Sequence, residues 1–445
     1  MTEHRIQNTE AITQNNTGSV LWPLCSILFV TCTVFLLLNT ALASEGTLTL
    51  KELIDEALRN NHEILSSESR ATASKYRIPQ VKSLPDPMFM FGYQNEGWKK
   101  YTYGKEQGAQ WMFSASQSFP FPGKLSLKGE MASRDAESIR ALYSSSRLKT
   151  IARVKELYYD LFFAYKSIDL IADRRSLFSK IEDAAIARYA SGKGLQQEVL
   201  MAQTEKYMLL EKEEMLRQKV QSIEAMLNAA IGRDINAPLG RPVEPAAALY
   251  TRDMNELIKL TYENSPEIKS REKMVASAET KVLMAKKEYY PDFTVTGSLF
   301  ERRGEFQDMW SLTTTINIPI FYRTKQRQAV HETEASLSEA RHELESIKLM
   351  LSSGIRDNFS MFKTAEKLMD LYKNGLIPKT YQDFELALSG YVTGKVEAIT
   401  VISRLKSILD FEVSYWGQFA EREKAIARLE ALSGITDTQL EDTKQ

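Results

Sequence analysis

Cysteine is nearly absent from this 445-residue chain: Cys25 and Cys32 both fall within the first 43 residues. Beyond that segment no disulfide, thiolate metal site or cysteine nucleophile is possible. Histidine is almost as scarce. Past the leader only His62, His331 and His342 remain, far apart and without metal-ligand spacing. No nucleophile elbow occurs. A phosphate loop fails as well, because Gly390 and Gly394 enclose three residues rather than four and Val396 follows Lys395. Neither an enzyme nor a cofactor is expected. Thirteen prolines and 20 glycines are too few for a disordered or fibrous chain. An excess of either charge is missing too, since 57 Lys and Arg oppose 58 Asp and Glu. Nucleic acid is therefore not an expected partner, and the short "ERR" run at 301–303 reads as a solvated loop.

One long apolar run is present, from Val20 to Leu38, behind a polar leader whose only basic side chains are His4 and Arg5. It ends in "NTALAS", where Ala41-Leu42-Ala43 fits a small-x-small cleavage site. Residues 1–43 thus read as a secretory signal peptide cut before Ser44. The competing reading is a retained membrane helix, for which the run is long enough. A lipoprotein would need a small residue before its cysteine, and Leu24 and Thr31 do not supply one.

The rest of the chain repeats itself. "LIDEALRNNHEI" (53–64) matches "LIKLTYENSPEI" (257–268), and "RYASGKGLQQEVL" (188–200) matches "GYVTGKVEAITVI" (390–402). The offsets are a little over 200 residues, too long for a solenoid period. The reading is a doubled domain. A first repeat spans 44–232, a linker 233–252, a second repeat 253–435, and a polar tail 436–445.

Each repeat begins with short helices and then offers two strands, about 88–96 and 109–119 in the first, about 292–302 and 309–321 in the second. In "MWSLTTTINIPIF" (309–321) Trp310, Leu312, Ile316, Ile318 and Ile320 share one parity. Ser311, Thr313, Thr315 and Asn317 share the other, so the two sets face opposite sides of a strand. Trp111, Phe113, Ala115 and Phe119 likewise alternate with Met112, Ser114, Ser116 and Ser118. Strands of about ten residues suit a tilted bilayer crossing. A soluble sandwich would need a second sheet over the apolar face, and four strands leave none. In a membrane, lipid covers that face and the polar face lines a lumen, with Ser114, Ser116, Thr313 and Thr315 as lumen candidates. Four strands cannot close a barrel, so copies of the chain must pool theirs. Period and composition are compatible with two, three or four chains. The alternative is an α+β protein whose own helices cover two hairpins. Met88, Met90 and Met112 would fall on the lumen side, as fillers or as thioether contacts for a soft cation.

Prolines stand at every crossing between helix and sheet: Pro85 and Pro87, Pro120 and Pro122 in "FPFPGK", Pro291, and Pro319. They stop one hydrogen-bonding pattern before the next begins. Coiled-coil hairpins follow at 124–232 and 323–435. Ile151, Val154, Tyr158, Leu161, Tyr165 and Ile168 form a heptad seam in the first. About 65 residues of helix reach roughly 100 Å, which makes a tube or stalk rather than a globule.

The doubled order, the "RYASGKG" and "GYVTGKV" turns and the C-terminal "LEALSGI" resemble the TolC-type outer membrane efflux protein family over residues 47–435. The resemblance implies a mainly α fold with a membrane β-barrel. Three chains, four strands each, would share a 12-stranded barrel continuous with a coiled-coil periplasmic tunnel. It also implies partners: a periplasmic adaptor protein, an inner-membrane resistance–nodulation–division pump, and outer membrane lipid. The expected function is a passive exit duct for metal cations or small toxic molecules; the alternatives are a type I secretion duct or a non-conducting envelope protein. "FPFPGK" resembles members serving heavy-metal pumps. By resemblance, Tyr189, Gly192, Lys193 and Gly194 form one adaptor-contacting tip, and Tyr391, Gly394, Lys395 and Val396 the other. The family's acidic entrance ring would fall on Thr400 and Ser403, so it is absent here. Glu397 is then the nearest carboxylate, and Glu198 takes the place of Thr400 in the first repeat.

Overall fold

The computed structural model describes residues 48–435, so the signal-peptide reading and the polar tail lie outside the described residues. The first repeat runs α1 (Leu50–Asn60), α2 (His62–Lys82), β1 (Met88–Gln94), β2 (Gln110–Phe119), α3 (Lys124–Ala190) and α4 (Gln196–Ile231). The second runs α5 (Met254–Asn264), α6 (Pro266–Lys287), β3 (Asp292–Glu301), β4 (Met309–Asn317), α7 (Gln326–Asp370), α8 (Ile377–Val392) and α9 (Ala398–Ser433). Element follows element in the same order twice, as the mainly helical, duplicated reading of the sequence requires.

Helix α3 is 67 residues long, about 100 Å at 1.5 Å per residue. Its counterpart is α7, a π-helical stretch Leu371–Leu376, and α8 in unbroken succession, 45, 6 and 16 residues that make up the same 67. The π stretch contains Gly375 and ends two residues before Pro378, whose missing N–H cannot close an ordinary α-helical bond. Widening the helix there lets it continue where a proline would otherwise end it. Both hairpins zip along apolar seams: Val154 and Leu161 of α3, Ala202 and Leu227 of α4, and Val401, Ile408 and Leu429 of α9 have no exposed surface. Glu213 interrupts the α4 seam and is buried, yet it is not stranded. Arg175 Nη1 lies 2.9 Å and Arg217 Nη2 2.6 Å from its carboxylate.

The linker packs along α9 through a buried polar knot. Arg422 Nη2 donates to the Ala248 carbonyl at 2.7 Å, and the Ala248 N–H donates to Glu423 Oε1 at 3.4 Å. Burial pushes the Glu423 carboxyl above its ordinary range, while Arg422 beside it pulls the other way. Removing Arg422 would leave a buried acid without its counter-charge.

The four strands make one antiparallel sheet in the order β1-β2-β3-β4, so the two repeats join through β2 and β3. Ser116 pairs with Thr296 and Thr296 with Thr313, while Phe113 pairs with Leu299 and Leu299 with Trp310. Like meets like across the sheet, and the two faces stay chemically distinct. The outer edges of β1 and β4 pair with no other strand among the described residues.

Strand β4 stops at Asn317, four residues short of the stretch read from the alternation. Pro319 cannot donate to a ladder, and Ile320 N–H turns back to the Ile318 carbonyl at 2.9 Å. Ile318 and Ile320 thus belong to the turn into α7, not to the strand face.

The "FPFPGK" turn joins sheet to tunnel. Gly123 takes φ 95°, a conformation that side chains resist, and starts α3. Lys124, almost fully buried, reaches across to the second repeat, with Nζ 2.9 Å from Asp292, 3.1 Å from Glu288 and 3.1 Å from the Tyr290 carbonyl. Phe121 stacks on Tyr290 at 4.5 Å. A residue at the base of one hairpin therefore fixes the base of the other.

Candidate functional site

Both helix-to-helix turns are built alike. In the first, Gly192 has φ 71°, its N–H donates to the Tyr189 carbonyl at 3.0 Å, and Lys193 N–H donates to the Arg188 carbonyl at 2.9 Å. In the second, Gly394 has φ 77°, its N–H donates to Tyr391 at 3.0 Å, and Lys395 N–H donates to Gly390 at 2.8 Å. This paired pattern satisfies the last carbonyls of a helix and needs a left-handed residue, hence the glycines.

Tyr189, Gly192, Lys193, Gly394 and Lys395 stand exposed at the tips, whereas Gly194 and Val396 are half-buried. Tyr391 departs from the others because it has no exposed surface. Its ring lies under the Arg188 guanidinium, 4.8 Å from ring centroid to guanidinium carbon. Arg188 Nη1 donates to the Tyr391 carbonyl at 2.8 Å and Nη2 to the Lys193 carbonyl at 3.2 Å. The Tyr391 hydroxyl donates to Glu198 Oε2 at 3.3 Å. Burial and the adjacent Glu198 carboxylate raise the tyrosine's pKa, and Arg188 opposes them. Tip one and tip two are thus a single polar clamp.

Arg188 was not among the residues that sequence reasoning picked out. A signal existed in the asymmetry of the repeats, because Arg188 of "RYASGKG" faces Gly390 of "GYVTGKV". Gly390 has no room for a side chain, since a Cβ there would sit 2.5 Å from Val396 Cγ2. The first tip carries the arm, and at the second Val396 fills the place a side chain on residue 390 would need.

At the second turn's exit, Glu397 is the N-cap residue of α9, exposed and without a side-chain cap bond. Thr400 is half-buried and Ser403 exposed. No carboxylate occupies either position, and Glu198 is engaged with Tyr391.

On the sheet, Ser114, Ser116, Thr313 and Thr315 share one face. Ser114 pairs with Ser298, Ser116 with Thr296, and Thr315 with Thr294, and Ser118 Oγ lies 3.0 Å from Thr294 Oγ1. Register puts Met88, Met90 and Met112 on this face, through Ser116, Ser114 and Gly92. On the opposite face Phe89 is 82%, Trp310 76% and Leu312 69% exposed. Nothing in the described chain covers them, which suits lipid rather than water. No described helix is long and apolar enough to cross a membrane.

A membrane-facing half-sheet carried on a doubled coiled coil defines a class: the subunit of an outer membrane channel with a helical extension. The chain belongs to the outer membrane efflux protein family, whose model matches residues 53–233 and 257–434. No curated protein sequence matches it. Solved structures share its fold at low identity. The outer membrane protein VceC of Vibrio cholerae is 16% identical, with a TM-score of 0.74, covering 86% of this chain and 96% of its own. CusC, described for the conformational changes of folding and transmembrane channel formation, is 13% identical with a TM-score of 0.76, covering 87% and 92%. The Campylobacter jejuni CmeC outer membrane channel is 15% identical with a TM-score of 0.74, covering 89% and 88%. The protein is accordingly an efflux channel of the outer membrane whose helices extend into the periplasm, and its family is one of ducts rather than enzymes.

Proposed function

We propose that three copies close a 12-stranded barrel and stack their coiled coils into one tunnel, forming the passive exit duct of a tripartite efflux system. The observation that carries this is the sheet itself, apolar and exposed on one face, hydroxyl-lined on the other, and open at both edges. Open edges are not stable in lipid, so β1 of one copy pairs with β4 of the next. The two tips, Tyr189 to Gly194 and Tyr391 to Val396, receive a periplasmic adaptor, which couples the duct to an inner-membrane pump of the resistance–nodulation–division type. The cargo is a metal cation or a small toxic molecule selected by the pump. The "FPFPGK" turn favours the heavy-metal branch. Residues 1–43 serve as the export signal, and the hydroxyl face lines the lumen.

Purified protein should sediment as a trimer and open pores in planar bilayers without turning over any substrate. Trimers that never conduct would point instead to a structural envelope protein.

A further inference from the structure

The 15-residue loop between β1 and β2 sits at the sheet's far end from the helices, which places it at the cell exterior on the efflux-channel reading. Its own side chains tie it together. Asn95 Oδ1 accepts from Tyr93 Oη at 2.8 Å and Thr102 N–H at 2.9 Å, and its Nδ2 donates to the carbonyls of Gly97 and Lys100 at 2.7 and 2.9 Å. Glu96 turns its carboxylate inward to the Gly108 N–H at 2.7 Å.

The direction of this loop is legible from its rings. Tyr93 and Trp111 pair on the apolar face, 5.0 Å apart, and Phe91 stacks on Trp111 at 5.1 Å. Tyr101 lies 5.2 Å and Tyr103 6.3 Å from Tyr93. The ring stack that starts on the lipid face therefore continues into the loop. The loop leans outward over lipid instead of closing over the lumen. Next to Tyr101 it displays Trp98, Lys99 and Lys100, all exposed, with Trp98 wholly so. An amphipathic ring beside ammonium groups at the end of an apolar band matches the depth at which membrane headgroups begin.

We propose that Trp98, Lys99 and Lys100 form a docking site for the phosphorylated headgroup of an outer-leaflet lipid. The tyrosine stack takes the acyl boundary, Trp98 lies at the interface, and the two ammonium groups meet the phosphates. Glu96 accepts from the Gly108 N–H and forms no ion pair with either lysine. Continuity with the lipid-facing band singles out a lipid over a soluble anion, for which the rings would have no purpose.

Native mass spectrometry of the detergent-solubilised full chain, titrated with diphosphoryl lipid A, tests this. Wild type should retain lipid adducts, and Lys99→Gln/Lys100→Gln should weaken retention by roughly thirtyfold, the worth of two lysines at an anionic surface. Dephosphorylated lipid should bind wild type no better than it binds the variant. Equal retention by both proteins, or full displacement by equimolar inorganic pyrophosphate, would overturn the site. Conductance in bilayers of phosphatidylethanolamine separates the two readings. If the variant conducts like wild type while lipid retention is unaffected, the docking site fails and the channel stands; if neither protein conducts, it is the channel reading that falls.

Discussion

The Arg188 guanidinium lies 4.8 Å from the ring centroid of Tyr391, a residue 203 positions later in the chain. One contact ties the end of the first hairpin to the end of the second.

Arg188→Ala should loosen both turns together. It removes the donors to two carbonyls and the charge over the ring, together about 1–2 kcal/mol of local stability. Hydrogen exchange should speed up at 189–196 and at 390–398, with the sheet unchanged. Acceleration confined to the first turn would mean that the clamp does not couple the tips.

The sheet faces can be separated by one charge. Leu312 pairs with Gly297 in the middle of the sheet, so Leu312→Arg should cost roughly 2–4 kcal/mol and block assembly in the membrane. Thr313→Arg, on the hydroxyl face, should assemble and alter conductance. Ile316 pairs with Phe293 near the helical end, so Ile316→Arg should be milder than Leu312→Arg. Equal assembly of the Leu312 and Thr313 variants would reverse the assigned facing.

Gly394→Val should strain the tip without a clash. A Cβ there meets only Arg188 Nη1, at an ordinary 3.6 Å, but φ 77° costs a β-branched residue about 1–3 kcal/mol. Trimers should form while export falls, and crosslinks from a cysteine at position 395 to an adaptor should weaken. Gly232→Ala makes the contrast, since its Cβ would lie 2.4 Å from the Asn60 carbonyl oxygen. That variant should lose folded yield. Undiminished export and crosslinking in Gly394→Val would remove the tip's coupling role.

Acid should weaken the first hairpin through Glu182. Its carboxyl is lowered from 4.5 by hydrogen bonds from Lys206, at 2.7 Å, and Gln203, at 3.0 Å. A depressed acid contributes stability above its unfolded value and loses it as pH falls through the folded one. Glu182→Gln should melt lower than wild type at pH 6, by under about 1 kcal/mol for a half-buried pair, and the gap should narrow as pH falls below the ordinary glutamate value. A gap that widens on acidification would contradict the assignment.

The duplication, the strand faces and the tip glycines could be read from the sequence because each is a local or periodic signal. Alternation separated Trp310 and Leu312 from Ser311 and Thr313, and the pairing of β3 with β4 keeps them apart. It overran at Ile318 and Ile320, where parity persists but Pro319 has already ended the ladder. The π stretch at Leu371–Leu376 leaves no trace in heptad spacing, and only Gly375 and Pro378 hint at it. Arg188 was missed for a different reason. Its partner lies in the other repeat, and no window on one segment contains both. Lys124, in a motif already noted, shows the same limit: its burial depends on Glu288 and Asp292, more than 160 residues away.

Two unbroken helices of 67 residues, one per repeat, end in turns that touch. Their equality acts as a ruler. Inserting one heptad into the first alone would push its tip about 10 Å past the second and pull Arg188 off Tyr391. Any inherited change in the reach of this protein therefore has to be made in both repeats, about 202 codons apart, and in both helices of each hairpin, before it is of use.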